Sequence, residues 1–101
     1  MALIDDIEAQ ERAQLDAKEK AKLALRIERE DLMWLMSGKR GRRIVRKQLE
    51  DAGVFRLSFN TNSMTMAFNE GMRNAGLALT AKLMSYCPAQ YAEMLTENND
   101  D

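Results

Sequence analysis

The first 37 residues contain no glycine and no proline, the two residues that most often interrupt a helix. They are rich in Ala, Glu, Lys, Gln, Leu and Arg, which favour helix, so we predict one long helix from about Ile4 to Met36. Its apolar residues are sparse at first and become frequent only from Leu23 onward. The early half therefore has too little apolar surface to bury by itself. We expect it to project from the domain, to pair with a partner helix or to fray, and a solvated charged helix without a specific partner is the alternative.

A second helix is predicted from near Gly38 to Ala52. Ser37 is placed to cap its first turn, because a serine hydroxyl accepts hydrogen bonds from exposed backbone N–H groups. Gly53 suits the position at the end of a helix where the backbone takes a left-handed conformation. The apolar stripe predicts which residues face inward, and it leaves six cations mostly outward. The inward residues are Ile44, Val45, Gln48, Leu49 and Ala52, and the cations are Lys39, Arg40, Arg42, Arg43, Arg46 and Lys47.

A third helix is predicted from Met64 to about Tyr86, with Ser63 as its N-cap. Gly71 and Gly76 lie within it, and we expect both to let another helix approach closely. An apolar stripe at helical spacing predicts its inward face. The stripe consists of Met64, Phe68, Met72, Ala75, Leu79 and Leu83.

The remaining segments are short. Pro88 suits the first position of a final helix, and residues 98–101 are expected to form a solvated tail. Trp34 is expected to be a core anchor over the second helix. The final helix is expected to turn Tyr91, Met94 and Leu95 inward.

Before the third helix, Val54, Phe55, Leu57 and Phe59 alternate with polar residues, which is typical of a short extended segment that packs one side on the core.

These segments together predict an all-α fold, with a long amino-terminal helix followed by a compact bundle of about three helices. We expect a charged helical extension over residues 1–30 and a small helical domain over residues 31–101. A chain of 101 residues supports one such domain. Neither a signal peptide nor a membrane-spanning stretch is visible in the sequence, so we expect no membrane association.

The sequence contains no histidine, which excludes His-based acid–base catalysis, Ser-His-Asp hydrolases and His-ligated metal sites. Cys87 is the only cysteine, which excludes an intramolecular disulfide and Cys-rich zinc sites. It has no evident activating base nearby, so we interpret it as a buried or inert thiol. We therefore expect no enzymatic activity, no cofactor and no metal site.

The formal net charge of −1 conceals a segregation of charge along the chain. Residues 1–31 hold nine acidic and six basic residues, whereas residues 32–62 hold seven basic and two acidic ones. Residues 63–101 hold two basic and five acidic residues. An acidic front and an acidic tail thus flank a middle of net charge +5.

Most of that positive charge lies in residues 39–47, which we call the basic segment and regard as the candidate functional site. Its six cations suit contact with a nucleic-acid backbone, docking to an acidic protein surface, or a solvated face. Glycines beside cations at a helix start can hold a phosphate through backbone N–H groups. The Walker pattern is absent, because the order of residues and the context both differ. No helix-turn-helix pattern accompanies the segment, which disfavours base-specific reading.

Several short motifs follow one another over about residues 30–95. They are Trp34-Leu35-Met36-Ser37, Lys39-Arg40-Gly41-Arg42-Arg43, Leu49 with Ala52-Gly53-Val54-Phe55, Glu70-Gly71 with Arg73-Asn74 and Gly76, and Cys87-Pro88 with Tyr91 and Met94. This ordered set resembles a small domain family of tailed bacteriophages, first named from a Bordetella podovirus. Members of that family are short proteins encoded among virion-morphogenesis genes, near the portal and capsid genes. The charged amino-terminal helix lies outside the resemblance.

The resemblance implies a virion or head/connector-assembly protein that acts through protein–protein contacts, with its basic face toward DNA or an acidic partner. The implied partners are virion proteins of the portal, scaffold or capsid region, with a DNA backbone as a further candidate. One alternative is a DNA-binding accessory of packaging or genome ejection, and another is a small inhibitor of a host protein. We favour assembly, as an oligomer or within a larger particle, because a basic middle between acidic arms is self-complementary. The expected location is the virion or the host cytoplasm.

Overall fold

The protein is described here by a computed structural model that covers residues 2–97, and the predicted solvated tail lies outside these residues. Within them the chain forms four α-helices and no β-strand. The helices are α1 (Ala2–Ser37), α2 (Lys39–Ala52), α3 (Ser63–Tyr86) and α4 (Pro88–Thr96). The predicted all-α class and the long amino-terminal helix are confirmed.

Contacts divide the chain into two units, Met1–Glu30 and Asp31–Asp101. In the first unit every side chain of residues 3–30 is exposed except that of Glu28, which is half-buried. This part of α1 thus forms no hydrophobic core of its own, as its sparse apolar pattern predicts.

The second unit has one small hydrophobic core. Helices α2, α3 and α4 contact each other pairwise around it. The buried side chains are Met36, Val45, Leu49, Leu83, Cys87 and Met94. The expected compact bundle is present only in part, because many large apolar side chains lie outside this core. Those that remain exposed in this unit include Trp34, Ile44, Phe55, Leu57, Phe59, Met64 and Phe68.

Helix α2 buries only part of the predicted face: Val45 and Leu49 are buried as predicted, and Ala52 is half-buried. Its buried residues are Gly41, Arg42, Val45 and Leu49. Ile44 and Gln48 are exposed, so their predicted inward placement is wrong. One residue corresponds to a rotation of about 100° around a helix. The buried face is centred between Arg42 and Val45, so Ile44 lies outside it.

Helix α3 is buried only in its carboxy-terminal half, at Gly76, Thr80 and Leu83. The predicted stripe is therefore correct at Leu83, and Leu79 is half-buried. It is wrong over its first four residues, Met64, Phe68, Met72 and Ala75, which are exposed. The buried hydroxyl of Thr80 donates a hydrogen bond to the carbonyl oxygen of Gly76 at 2.9 Å, which satisfies it within the helix.

The connecting segment and α4 agree with prediction in part. Pro88 begins α4 as predicted, Met94 is buried, and Tyr91 packs against the core. Leu95 is exposed, contrary to prediction. Val54 is half-buried against the core, but the other apolar residues of the segment are exposed, so the predicted packing of an extended strip is wrong. Those residues are Phe55, Leu57 and Phe59.

Two helix boundaries differ from prediction by one residue. Ser37 is the last residue of α1, and Gly38 is the N-cap of α2, without a side-chain capping bond. The N-cap of α3 is Asn62 rather than Ser63, because the Asn62 side-chain oxygen accepts the backbone N–H three residues later at 3.0 Å. Gly53 has a φ of 84° at the end of α2, which confirms the predicted left-handed glycine.

Gly76 marks the point where Ala52, at the end of α2, and Val54, two residues later, approach α3. A Cβ atom on Gly76 would lie 2.5 Å from Cγ2 of Val54 and 2.9 Å from Cβ of Ala52. A Cβ atom on Gly71 would meet nothing within 4 Å. The prediction of a close approach is therefore confirmed at Gly76 and wrong at Gly71.

These two glycines form a matched pair for a stability test. We expect Gly76→Ala to lower the free energy of unfolding by about 1–3 kcal/mol, because the new methyl group overpacks the contact with Val54. Gly71→Ala should raise it by about 0.5–1 kcal/mol, since alanine favours an exposed helix interior. Denaturant unfolding followed by circular dichroism measures both. A Gly76→Ala variant as stable as Gly71→Ala would contradict the observed packing.

Candidate protein-interaction surface

The end of α1 and the start of α2 are in direct contact at Gly41. A Cβ atom on Gly41 would clash with the carbonyl oxygen of Leu35, so a larger residue has no room there. Gly38 links the two helices in an extended conformation, with φ −110° and ψ 150°. Its carbonyl oxygen accepts the backbone N–H of Arg42 at 3.1 Å. This junction fixes where the side chains of the basic segment point.

Arg42 points inward and is only 7% exposed. Its Nη1 donates to the carbonyl oxygen of Met36 at 3.0 Å, in the last turn of α1. Its Nε and Nη2 donate to the two carboxylate oxygens of Glu97 at 2.6 and 3.1 Å. Glu93 lies 3.4 Å from Nη2. The guanidinium thus joins the end of α1 to the end of α4 through a bidentate ion pair.

This ion pair changes the pKa values of both partners. The hydrogen bond with Glu97 raises the pKa of Arg42, although burial opposes the rise. The same hydrogen bond holds the pKa of Glu97 below its ordinary value, again against burial, and the charges of Arg42, Lys39 and Arg43 add to the effect. Glu97 is therefore ionised at neutral pH when the protein is folded.

Arg46 makes a similar set of contacts one turn further along α2. Its Nη1 donates to the carbonyl oxygens of Met94 and Glu97, both at 3.1 Å. These carbonyls lie at the end of α4, where backbone acceptors lack partners within the helix. Its Nε pairs with Glu50 at 3.2 Å. Arg46 thus supplies donors to the carboxy-terminal end of α4.

The other cations of the basic segment lie nearer to solvent. Lys39, Arg40 and Lys47 are exposed, and Arg43 is half-buried. Lys47 forms an exposed ion pair with Asp51 at 3.1 Å. The prediction that these cations point mostly outward is therefore wrong for Arg42, and Arg46 is only partly exposed. Contact with nucleic acid or an acidic partner through these residues stays a prediction.

Trp34 is exposed, and the prediction that it anchors the core is wrong. Its side chain is 77% exposed, and that of Ile44 is 57% exposed. Together with Leu35 they line an open groove of about 330 Å³ at the junction of α1 and α2. Arg40 lies at the same groove and adds a positive charge. We call this surface the Trp34 groove; it also includes Ser37, Gly38 and Gly41.

Cys87 is buried as predicted, with 3% of its surface exposed. Burial raises the pKa of its thiol, so the neutral thiol predominates and the nucleophilic thiolate is disfavoured. Among the residues described, no group of three His, Cys, Asp or Glu side chains is arranged to hold a metal ion. None of the helices in that part of the chain is long and apolar enough to span a bilayer.

Sequence reasoning missed Glu97 as the partner of Arg42. The two residues are separated by 55 positions, and Glu97 lies among the acidic residues that we assigned only to a charged tail. The local sequence does contain a sign that Arg42 is buried. Arg42 follows Gly41 and lies three residues before Val45, and both of these neighbours are on the buried side of α2. That spacing indicates burial but does not identify the partner.

The Arg42–Glu97 pair predicts a pH dependence of stability. Because the pKa of Glu97 is lower in the folded protein than in the unfolded chain, the pair contributes its full stability above the unfolded pKa. That contribution is lost as pH falls through the lowered folded pKa. Glu97→Gln should therefore lower the melting temperature at neutral pH, and its difference from wild type should shrink in acid.

Thermal unfolding over a pH series measures this effect, with Glu70→Gln as the control because Glu70 is an exposed glutamate on α3. The control should follow the wild-type curve. A Glu97→Gln variant whose destabilisation stays constant from neutral to acidic pH would argue against an ionised Glu97 in the fold.

The comparisons with known proteins assign a family to this chain. A family model described as a Bbp19-like phage protein matches residues 32–96, which is more than half of the chain. The match includes α2, α3 and α4 but leaves out residues 1–31, most of α1. Comparison with curated proteins and with solved structures gives no match. The resemblance found in the sequence motifs is thereby confirmed, and the chain belongs to the family of Bbp19-like phage proteins.

Proposed function

We propose that this phage protein acts in virion or head/connector assembly, by binding another virion protein from the portal, scaffold or capsid region. The exposed Trp34 groove is the observation that supports this proposal. Its central side chains, Trp34 and Ile44, are large and apolar yet mostly exposed in the isolated chain. An indole is among the side chains that contribute most to protein–protein affinity when a partner covers it.

The groove also suggests the chemistry of the partner. Leu35, Trp34 and Ile44 offer an apolar surface, and Arg40 at the same groove carries an exposed positive charge. A protein segment with an apolar side chain next to a carboxylate matches both features. Burial of the apolar side chain supplies affinity, and the charge pair supplies orientation and specificity.

This proposal gives the protein no catalytic role. The sequence has no histidine to act as a general base. The sole thiol, that of Cys87, is buried and has a raised pKa. Binding through the Trp34 groove requires neither group.

The main test follows the protein into phage particles. Phages carrying wild-type protein, Trp34→Ala or Ile44→Ala are purified as proheads and as mature virions, and the amount of this protein is measured by quantitative mass spectrometry. We expect wild-type protein in at least one kind of particle. Loss of the Trp34 indole should weaken the contact by at least about 2 kcal/mol, or about thirtyfold in affinity, and deplete the protein from particles.

Phe59→Ala is the matched control, because Phe59 is an aromatic residue that is 75% exposed and lies outside the Trp34 groove. Circular dichroism of each purified variant checks that it is folded. Absence of the wild-type protein from both proheads and virions would overturn the assembly proposal. Normal incorporation of Trp34→Ala would remove the groove as the contact surface.

DNA binding is the second candidate function, supported by the exposed cations Lys39 and Arg40 at the start of α2. Arg42 and Arg46 already use their donors within the fold, so few cations of the basic segment are available for phosphates. Titration with duplex and single-stranded DNA at two salt concentrations distinguishes the candidates. Binding that weakens with salt, and further with Lys39→Gln and Arg40→Gln together, would favour DNA.

A further inference from the structure

A second cavity lies between the end of α2 and the first half of α3. Its volume is about 190 Å³. Four of its lining side chains can donate hydrogen bonds, those of Arg56, Ser58, Asn69 and Arg73. We call it the arginine cavity. It shares no lining residue with the Trp34 groove, so it is independent of the function proposed above.

The turn after α2 brings the two arginines together. Gly53 takes the left-handed conformation, and its carbonyl oxygen accepts the backbone N–H of Arg56 at 3.3 Å. The Nε atom of Arg56 lies 3.4 Å from the position that a Cβ atom of Gly53 would occupy, so the side chain folds back toward the turn. Val54 then contacts α3 at Gly76, one turn after Arg73.

The arginine cavity has an excess of positive charge. The buried Nε atom of Arg73 has no hydrogen-bond partner. Within residues 2–97, neither Arg56 nor Arg73 forms an ion pair. The acidic residue at the cavity, Asp51, has its carboxylate 3.1 Å from the Nζ atom of Lys47. Two arginines thus line the cavity, and neither is paired with a carboxylate among the described residues.

Arginines that line a cavity without ion pairs leave charge-assisted donors unused, so a ligand that supplies acceptors is favoured at such a site. Guanidinium groups match oxyanions because their N–H groups form a planar fork. A volume of about 190 Å³ is what about six water molecules occupy in the liquid. It is smaller than the roughly 300–1,000 Å³ of sites for drug-sized ligands. The cavity therefore suits one small anionic group.

We propose that the arginine cavity binds a phosphate group, held by Arg56 and Arg73 and supported by Ser58 and Asn69. A phosphate presents oxygens in several directions, so it can accept from donors on both α3 and the turn after α2. A carboxylate presents two oxygens in one plane, so it can accept from fewer of these donors than a phosphate can. Free phosphate and a phosphodiester of nucleic acid offer this same group.

The test is a titration of the full-length chain with inorganic phosphate, at constant ionic strength, followed by two-dimensional NMR of backbone and arginine Nε–H groups. We expect saturable shifts at Arg56, Arg73 and their neighbours, and none with acetate at the same concentrations. Arg56→Gln and Arg73→Gln should each weaken phosphate binding by about tenfold, the loss expected for one charge-assisted contact.

Arg29→Gln is the matched control, because it removes the same charge from an exposed arginine on α1 that lines neither the arginine cavity nor the Trp34 groove. It should leave phosphate affinity unchanged. Arg73→Lys keeps the charge but loses the fork, so it should bind phosphate less tightly than wild type. Arg56 is exposed, so Arg56→Gln still tests the site if Arg73→Gln fails to fold.

The proposal is overturned if phosphate causes no saturable shifts, if acetate causes the same shifts, or if Arg29→Gln weakens binding as much as Arg56→Gln does. A second titration, with a short DNA oligonucleotide in the presence of phosphate, identifies the source of the group. If DNA displaces phosphate at the same resonances, the cavity binds a phosphodiester of nucleic acid. If phosphate stays bound in the presence of DNA, the cavity binds free phosphate.

Discussion

The bidentate contact between Arg42 and Glu97 is the interaction on which the arrangement of the helical unit depends. One guanidinium bonds the last turn of α1 through Met36 and the end of α4 through Glu97. Arg46 bonds the same end of α4 through backbone carbonyls. The hydrophobic core is small, so these polar contacts at helix ends replace part of the packing that a larger core supplies. Two arginines of α2 thereby fix where α1 ends and where α4 lies.

The contacts of Arg42 and Arg46 change how the basic segment is interpreted. In the sequence, six cations within residues 39–47 form one charged block. In the fold, Arg42 and Arg46 neutralise carboxylates and bond carbonyls, whereas Lys39 and Arg40 remain exposed. A run of cations is therefore not one surface, because neighbouring residues on a helix point about 100° apart. The exposed part of the segment adjoins the Trp34 groove, which is why we propose a protein partner before DNA.

The Trp34 groove and the arginine cavity are two chemically distinct surfaces of one small unit. The groove offers an apolar indole at an open surface, and the cavity offers guanidinium groups around a small volume. Both arise where a glycine permits a tight connection, at Gly41 beside the end of α1 and at Gly53 after α2. The family match includes both surfaces and leaves out residues 1–31. The exposed charged length of α1 therefore lies outside the family match.

The sequence by itself determined the all-α class, the long first helix, the left-handed Gly53, the start of α4 at Pro88 and the family. These features follow from local propensity or from ordered motifs, which need no knowledge of the fold. Only the tertiary structure decided that Trp34 and Ile44 are exposed, that Arg42 is buried with Glu97, and that Arg56 and Arg73 line one cavity. Each of those outcomes depends on how the helices pack against one another. Contacts between residues far apart in the chain determine that packing, and Arg42 and Glu97, 55 positions apart, are one example.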